Sequence, residues 1–519
     1  MKIERTKNAS RNIFFGVMLK VYQILVPFLM RTAMIYLMGV QYLGLNSLFT
    51  SVIQVLNLAE LGVGSAMIYS MYKPIAEDDE FTICALVKLY RTYYRVIGLV
   101  IAVVGCTLTP FIPYLIKSDV LAGINVYILY LLNLGATVLS YWLFAYKNSI
   151  LQAHQRTDVV SRVTLITSTV KYMLQLAVLW IFHNYYLYVI VSLMTQVLTN
   201  IVTAICADKL YPQFKPKGSV DKTQVQRINQ RIKDLFTSKI GSMIYDCADT
   251  IVISAFLGLT VLAVYQNYFY IISSITGLIT VVFAACTAGI GNSIVVEIKE
   301  KNYQDLKKFT FIITWIAGFC SVCLLCIYQP FMELWVGKDL MLSLSSVVCF
   351  VVYFFVRQFN ALLNLYKDAS GMWHEDRFRP LVAALTNLAL NLILVQFIGI
   401  YGILLSTVLA IICVGMPWLL HNLFTVIFDK KHMWPYIIRL AKYCVVVLFS
   451  CMVTYFICSK INIGLVPTIL VRGIICIIVP NAIYFVVFRK TKEYNQALNL
   501  LNNMTKGKIK KVLLKLGMN

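Results

Sequence analysis

The chain has 519 residues, of which 60% are hydrophobic and only 13% charged, with mean hydropathy +0.76 and a formal net charge of +23. About a quarter of the residues in a soluble domain are charged, so this composition excludes a soluble protein and identifies an integral membrane one. The basic excess does not point to nucleic acid, because no soluble domain stands beside the apolar runs to hold a duplex.

A helix needs roughly 20 apolar residues to cross about 30 Å of hydrocarbon. Runs of that length cover, in chain order, 12–37, 43–71, 91–115, 122–146, 163–182, 187–207, 236–258, 262–292, 307–328, 342–366, 380–396, 400–425, 436–458 and 466–488, which predicts fourteen transmembrane helices. Lys2, Arg5, Lys7 and Arg11 precede the first run as they would a secretory signal. The run is too long for a signal core, contains Lys20 and lacks a small-x-small cleavage site, so it is predicted to stay as the first helix.

Short cytoplasmic loops collect Lys and Arg. With the N-terminus inside, all but nine of the 46 Lys and Arg fall in the N-terminus, the alternate loops and the C-terminal tail. The exceptions are Lys117, Lys338 and Lys460 in outside loops and Lys20, Arg31, Lys171, Lys239, Arg357 and Arg472 within spans. The expected fold is therefore an all-α, multi-pass bundle with both termini cytoplasmic, in contact with anionic lipid head groups.

YKNSILQAHQ begins at Tyr146 and YKDASGMWHE at Tyr366, 220 residues later. Gly39 and Gly258, like Lys20 and Lys239, repeat at a spacing of 219. Such spacing predicts an internal repeat of six helices. Six crossings are even, so the two lobes enter the membrane in the same sense, related by an axis along its normal. The predicted division is 1–207 for the first lobe, 208–235 for a basic cytoplasmic linker, 236–428 for the second lobe, 429–490 for two further helices and 491–519 for a basic tail. In the tail Leu498, Leu501, Met504, Ile509 and Val512 interleave with Lys506, Lys508, Lys510 and Lys511. That pattern suits an amphipathic helix on an anionic leaflet, with a solvated basic tail as the alternative.

Charges near the bilayer centre cost at least about 2.5–3.5 kcal/mol each and need a partner or a wet cavity. Lys20 and Arg31 share one face of the first helix, and Lys239, Asp246 and Asp249 group on one side of the seventh. Arg357, Asn360, Asn364 and Asp368 line one face of the tenth, and Glu60 stands beside Asn57 in the second. The expectation is a central polar cavity between the lobes. Arg31 and Arg357 would hold an anionic head group there, bidentately if it is phosphate, with Lys20, Lys239, Asn360 and Asn364 around it. Asp246, Asp249 and Glu60 would bind or exchange a cation. The competing reading is a set of fixed interlobe salt bridges, with Lys20 and Lys239 snorkelling. Lys171 and Arg472 have no evident partner and receive no role.

In the repeated loops Lys147, His154, Arg156, Lys367, Asp368, His374 and Arg377 are expected to cap helices and seal a cytoplasmic gate, with proton sensing by the histidines as a second reading. Of fourteen cysteines, Cys320, Cys323 and Cys326 are spaced like a ligand triad and Cys444, Cys451 and Cys458 form a stripe. They read as small hydrophobes packing helices, with no metal and no cofactor expected.

SRNIFFGVMLKV leading into YLMGVQYLGLNSLF and LAELGVGSAM, then AYKNSILQAHQRTD, and SKIGSMIYDCADTIVISAFLGLTVLAVYQNY in the second half resemble the polysaccharide (Wzx-type) flippases of the multidrug/oligosaccharidyl-lipid/polysaccharide exporter superfamily. The resemblance spans roughly residues 1–490. It implies two six-helix lobes plus two helices, alternating access, and transfer of undecaprenyl-pyrophosphate-linked oligosaccharides across a bacterial plasma membrane for capsule, exopolysaccharide or cell-wall polysaccharide synthesis. It also implies a proton or sodium gradient as driving force, polysaccharide polymerase or synthase machinery as partners, and a cavity arginine in the first helix, where Arg31 stands.

No Walker A motif is present, and GVG at 62–64 and GIG at 289–291 read as packing or hinge glycines rather than nucleotide loops. This is the pattern of a secondary transporter rather than an enzyme. A multidrug or cation exporter of the same superfamily is the nearest alternative, but the embedded set of six basic and three acidic residues favours anions. A membrane enzyme acting on the same lipid carrier would need a large catalytic outer loop, and a structural partner of a synthase complex would tolerate loss of the embedded charges.

Overall fold

The computed structural model describes residues 5–117, 123–372 and 375–504. Every regular element among them is helical. Among the described residues twelve helices are long and apolar enough to cross a membrane, or thirteen when one bent pair is taken as a single span. The eighth predicted span lies on a helix with several side chains outside the described set, at 282, 284, 285 and 288.

The chain forms two compact units, Met1–Gln266 and Asn267–Asn519. The first contains α1 (Arg5–Leu37), α2 (Val40–Leu56), α3 (Val63–Ala76), α4 (Glu80–Leu108), α5 (Val126–Trp142), α6 (Asn148–Ala153), α7 (Thr157–Ile181), α8 (Tyr185–Leu210), α9 (Lys222–Leu257) and the opening turns of α10 (Leu259–Val296). In it α1 packs on α7, α7 on α8, α5 on α4 and α8, and α2 on α9. A Cβ on Gly44 would run into the Leu259 carbonyl, so only glycine lets α2 approach the start of α10.

The second predicted span is not one helix. After α2 the chain tightens into a 3₁₀ turn, Asn57–Glu60, and restarts at Val63 after Gly62, whose φ of +88° needs no Cβ. The fourth span also bends, by 49°, between Val126–Trp142 and Ala145–Ala153, with Phe144 at φ +62°. Of the stretch read as a linker, residues 222–235 are helical: Asp221 accepts from Thr223 N at 3.0 Å and caps α9.

The repeat has a backbone counterpart. Gly39 and Gly258 have φ of +112° and +90° at the α1–α2 and α9–α10 joints, where the intervening segments are only two residues and one residue long.

The second unit contains the rest of α10, then α11 (Lys299–Val336), α12 (Leu344–Ser370), α13 (Arg379–Ile398), α14 (Ile400–Leu409), α15 (Met416–Val426), α16 (Met433–Ser459), α17 (Leu465–Phe488) and α18 (Lys492–Met504). A π-helical turn, Ala410–Gly415, joins α14 to α15. Pro417 follows and has no N–H for the Cys413 carbonyl, which accounts for the widened turn. The long α11 is central, packing on α12, α16, α17 and α18.

The start of the tail docks on protein. Ala497 and Tyr494 pack with Phe311, Tyr443, Tyr484 and Phe488, and Arg439 pairs with the buried Glu493. Residues 505–519, with most of the tail's lysines, lie outside the described residues.

Candidate functional site

The first unit encloses a cavity of about 470 Å³. Its wall is built from five helices. On α2, Asn46, Thr50 and Gln54 follow one another at four-residue steps and so share a face, which Asn57 extends at the helix break. Arg31 comes from α1, Asn133 and Thr137 from α5, Lys171, Tyr172 and Gln175 from α7, and Tyr188, Ser192 and Gln196 from α8.

Two cations and no carboxylate line this space. Arg31 Nη1 donates to the Gln266 carbonyl at 3.3 Å, and its guanidinium carries a fixed positive charge at the cavity wall. The Lys171 ammonium lies 4.2 Å from the centre of the Tyr172 ring, a cation–π arrangement. Gln175 donates to the Tyr188 carbonyl at 3.1 Å, and its Oε1 is buried with no partner among the described residues. Fixed positive charge and amide groups in a site walled by apolar helices favour an anionic, hydroxyl-rich ligand over a cation.

Beside this cavity stands Glu60, at the point where α2 is interrupted. Tyr90 donates to Tyr94 at 2.6 Å, Tyr94 to Glu60 Oε1 at 2.5 Å, and Tyr141 to Glu60 Oε2 at 2.7 Å. The Tyr141 hydroxyl also lies 3.2 Å from Oδ1 of Asn57, which lines the cavity. No salt bridge reaches Glu60 among the described residues. Broken helices are where secondary transporters place ion and substrate sites.

The other expected site residues are dispersed. Asp249 accepts from Tyr265 at 3.4 Å, and Lys239 donates to Ser65 Oγ at 3.3 Å. Lys20 is half-buried on α1. The Asp246 side chain and His374 lie outside the described residues. In the second unit the Arg357 guanidinium donates to the Tyr353 hydroxyl. Asn364 donates to the Asn360 carbonyl at 2.8 Å, and its Oδ1 accepts from Arg379 at 2.7 Å. Asn360 Oδ1 is buried without a partner among the described residues.

Both repeated loops gather round a buried carboxylate. Asp158, fully buried, pairs with Arg156 at 2.9 Å, Arg162 at 3.4 Å and Arg11 at 3.9 Å, and its N–H donates to Asn12 at 2.8 Å. Asp376 accepts a bidentate pair from Arg379, both at 2.7 Å, with Asn422 at 3.3 Å and Lys367 at 3.9 Å. Lys147 pairs with Asp208, and Lys367 with Asp368 at 2.8 Å. Arg377 is exposed, over the Phe378 ring. His154 is buried, its Nδ1 2.8 Å from the Ile150 carbonyl and its ring 4.3 Å from that of Tyr211. Burial pushes its pKa below the usual 6.5.

Lys171, like Asn46, Asn133 and Gln196, is a cavity residue to which the sequence alone gave no role, because its neighbours come from helices far apart in sequence. Its signal was a lone lysine in an apolar run, the same signal that singled out Arg31. Asp158 and Asp376 lie four and two residues after the repeated His154 and His374 in the sequence.

Residues 9–287 match the family model described as polysaccharide biosynthesis protein. Among solved structures, the chain is similar to "Lipid II flippase MurJ, inward closed conformation", with 15% identity over 92% of this chain and 99% of that one and a TM-score of 0.67. It is also similar to an inward-facing multidrug resistance MATE family transporter of the MOP superfamily, with 14% identity, 78% and 97% coverage and a TM-score of 0.60. A third match is a MOP superfamily transporter from Pyrococcus furiosus whose binding pocket is described as reversed in polarity, with 12% identity, 82% and 96% coverage and a TM-score of 0.51. At these identities the likenesses establish the fold. No curated protein matches the sequence.

Proposed function

From membership of the polysaccharide biosynthesis protein family, to which this chain belongs, we propose that it is a flippase carrying undecaprenyl-pyrophosphate-linked oligosaccharide units across a bacterial plasma membrane. The single observation that carries the reading is the cavity wall with two cations, many amides and no carboxylate. A cation exporter would need the opposite sign.

In this mechanism Arg31 offers its fork to phosphate oxygens, where bidentate pairing is strongest. Lys171 adds a second point charge, and Asn46, Gln54, Asn133 and Gln196 meet sugar hydroxyls. Alternating access of the two six-helix lobes exposes the cavity to each face in turn. Glu60 exchanges the coupling proton, and the Tyr141–Asn57 contact passes its state to the cavity wall.

The test is a liposome assay in which a fluorescent undecaprenyl-pyrophosphate oligosaccharide becomes accessible to an external quencher. Wild type moves the label, while Arg31→Ala and Lys171→Ala, each verified as folded, slow it by about 10–100-fold, the equivalent of losing a charged hydrogen bond of roughly 1.5–3 kcal/mol. Movement untouched by either substitution sinks the site. Transport of an organic cation in place of the lipid sinks the function.

A further inference from the structure

Helices α11, α16 and α17 bring together cysteines that no sequence spacing links. Cys326, Cys458 and Cys476 are each buried, and their three sulfurs all lie within 4.8 Å of one another. A fourth thiol, Cys323, one turn before Cys326, packs against the same cluster. All four are free thiols.

Arg472, one turn before Cys476 on α17, supplies a second and independent observation. Its Nη1 donates to the Cys326 carbonyl at 3.1 Å and its Nη2 to the Ile461 carbonyl at 3.0 Å. Its Nε is buried with no hydrogen-bond partner among the described residues. A guanidinium inside an apolar bundle with an unmet donor calls for an anion. Neutral thiols are poor acceptors, whereas thiolates supply the missing charge.

We propose that Cys326, Cys458 and Cys476 bind one soft divalent d¹⁰ cation, zinc in the cell, as a structural site that pins α16 and α17 to α11. Three thiolates and a divalent cation carry one net negative charge, which Arg472 neutralises, so the buried assembly is uncharged overall. Binding releases the three thiol protons. Tetrahedral thiolate ligands about 2.3 Å from zinc stand roughly 3.8 Å apart, so the sulfurs need to close by about an ångström at most. Soft sulfur ligands discriminate against magnesium, calcium and sodium.

Full-length protein, purified in detergent without chelator, should contain about one zinc per chain by elemental analysis, one cation for each three-thiolate cluster. Stripped of metal and titrated with cadmium, it should show a saturable thiolate-to-cadmium charge-transfer band and a higher melting temperature. Cys326→Ala and Cys458→Ser should lose metal and band, while Cys444→Ala, an exposed cysteine on the same α16, keeps both. Arg472→Gln should weaken cadmium binding by about 10–100-fold, as removal of a partner of metal ligands does. Folded wild-type protein with neither zinc nor a saturable band overturns the proposal, whatever the variants do. A band that survives in the folded Cys326→Ala and Cys458→Ser proteins overturns it equally, leaving the thiols as packing groups.

Discussion

Asp158 and Asp376, 218 residues apart, are alike in the two units: each is a buried carboxylate held by arginine and follows a repeated Tyr-Lys pair in the sequence. The tyrosines of those pairs, Tyr146 and Tyr366, are buried as well. Their settings differ in one respect. Arg379 is buried with Asp376, whereas Arg156 and Arg162 are partly exposed beside Asp158.

That difference orders the effects of two substitutions. Removing one partner of a buried pair costs about 3–5 kcal/mol, so Asp376→Asn should lower the melting temperature strongly. Asp158→Asn, whose arginines can turn to water, should cost less. Thermal unfolding of the two variants in one detergent gives the ranking, and a larger loss for Asp158→Asn refutes it.

Glu60→Gln keeps an acceptor oxygen for one of Tyr94 and Tyr141, turns an NH2 donor to the other, whose hydroxyl can accept, and removes the exchangeable proton. Lipid-linked oligosaccharide movement should then lose its response to an imposed proton gradient while downhill movement continues. Liposomes with and without the gradient show whether the response survives.

His154 gives a pH dependence of definite sign. Its folded pKa lies below 6.5, so the unfolded chain binds more protons between the two values. Its contribution to stability is complete above about pH 6.5, falls as the pH drops toward the lowered folded value, and is level beneath that. His154→Gln should flatten this part of the melting-temperature profile between about pH 7 and 5.

Gly44→Ala should destabilise the first unit by about 1–3 kcal/mol, the usual range for overpacking. The Leu259 carbonyl that the new methyl meets is backbone and cannot swing aside. A Gly135→Ala control, at a glycine with open space around it, should melt like wild type.

Hydropathy made the all-helical membrane fold legible because every span must bury its own backbone polar groups in a continuous helix. Averaging over long windows hid the interruptions at Asn57–Gly62 and Phe144, which depend on a few residues with unusual φ. Arg31 was legible from its own charge. Its neighbourhood was not, because Asn133, Lys171 and Gln196 meet it through the packing of α5, α7 and α8, which no linear spacing encodes. The cysteine cluster was hidden for the same reason, drawing one residue from each of three helices.

The joints at Gly39 and Gly258 leave no slack between α1 and α2 or between α9 and α10. Each glycine therefore holds the end of one helix close to the start of the next. Past α2 the same run is interrupted again, at the 3₁₀ segment that carries Glu60. The carboxylate proposed to exchange the coupling proton thus stands where the helical run is broken.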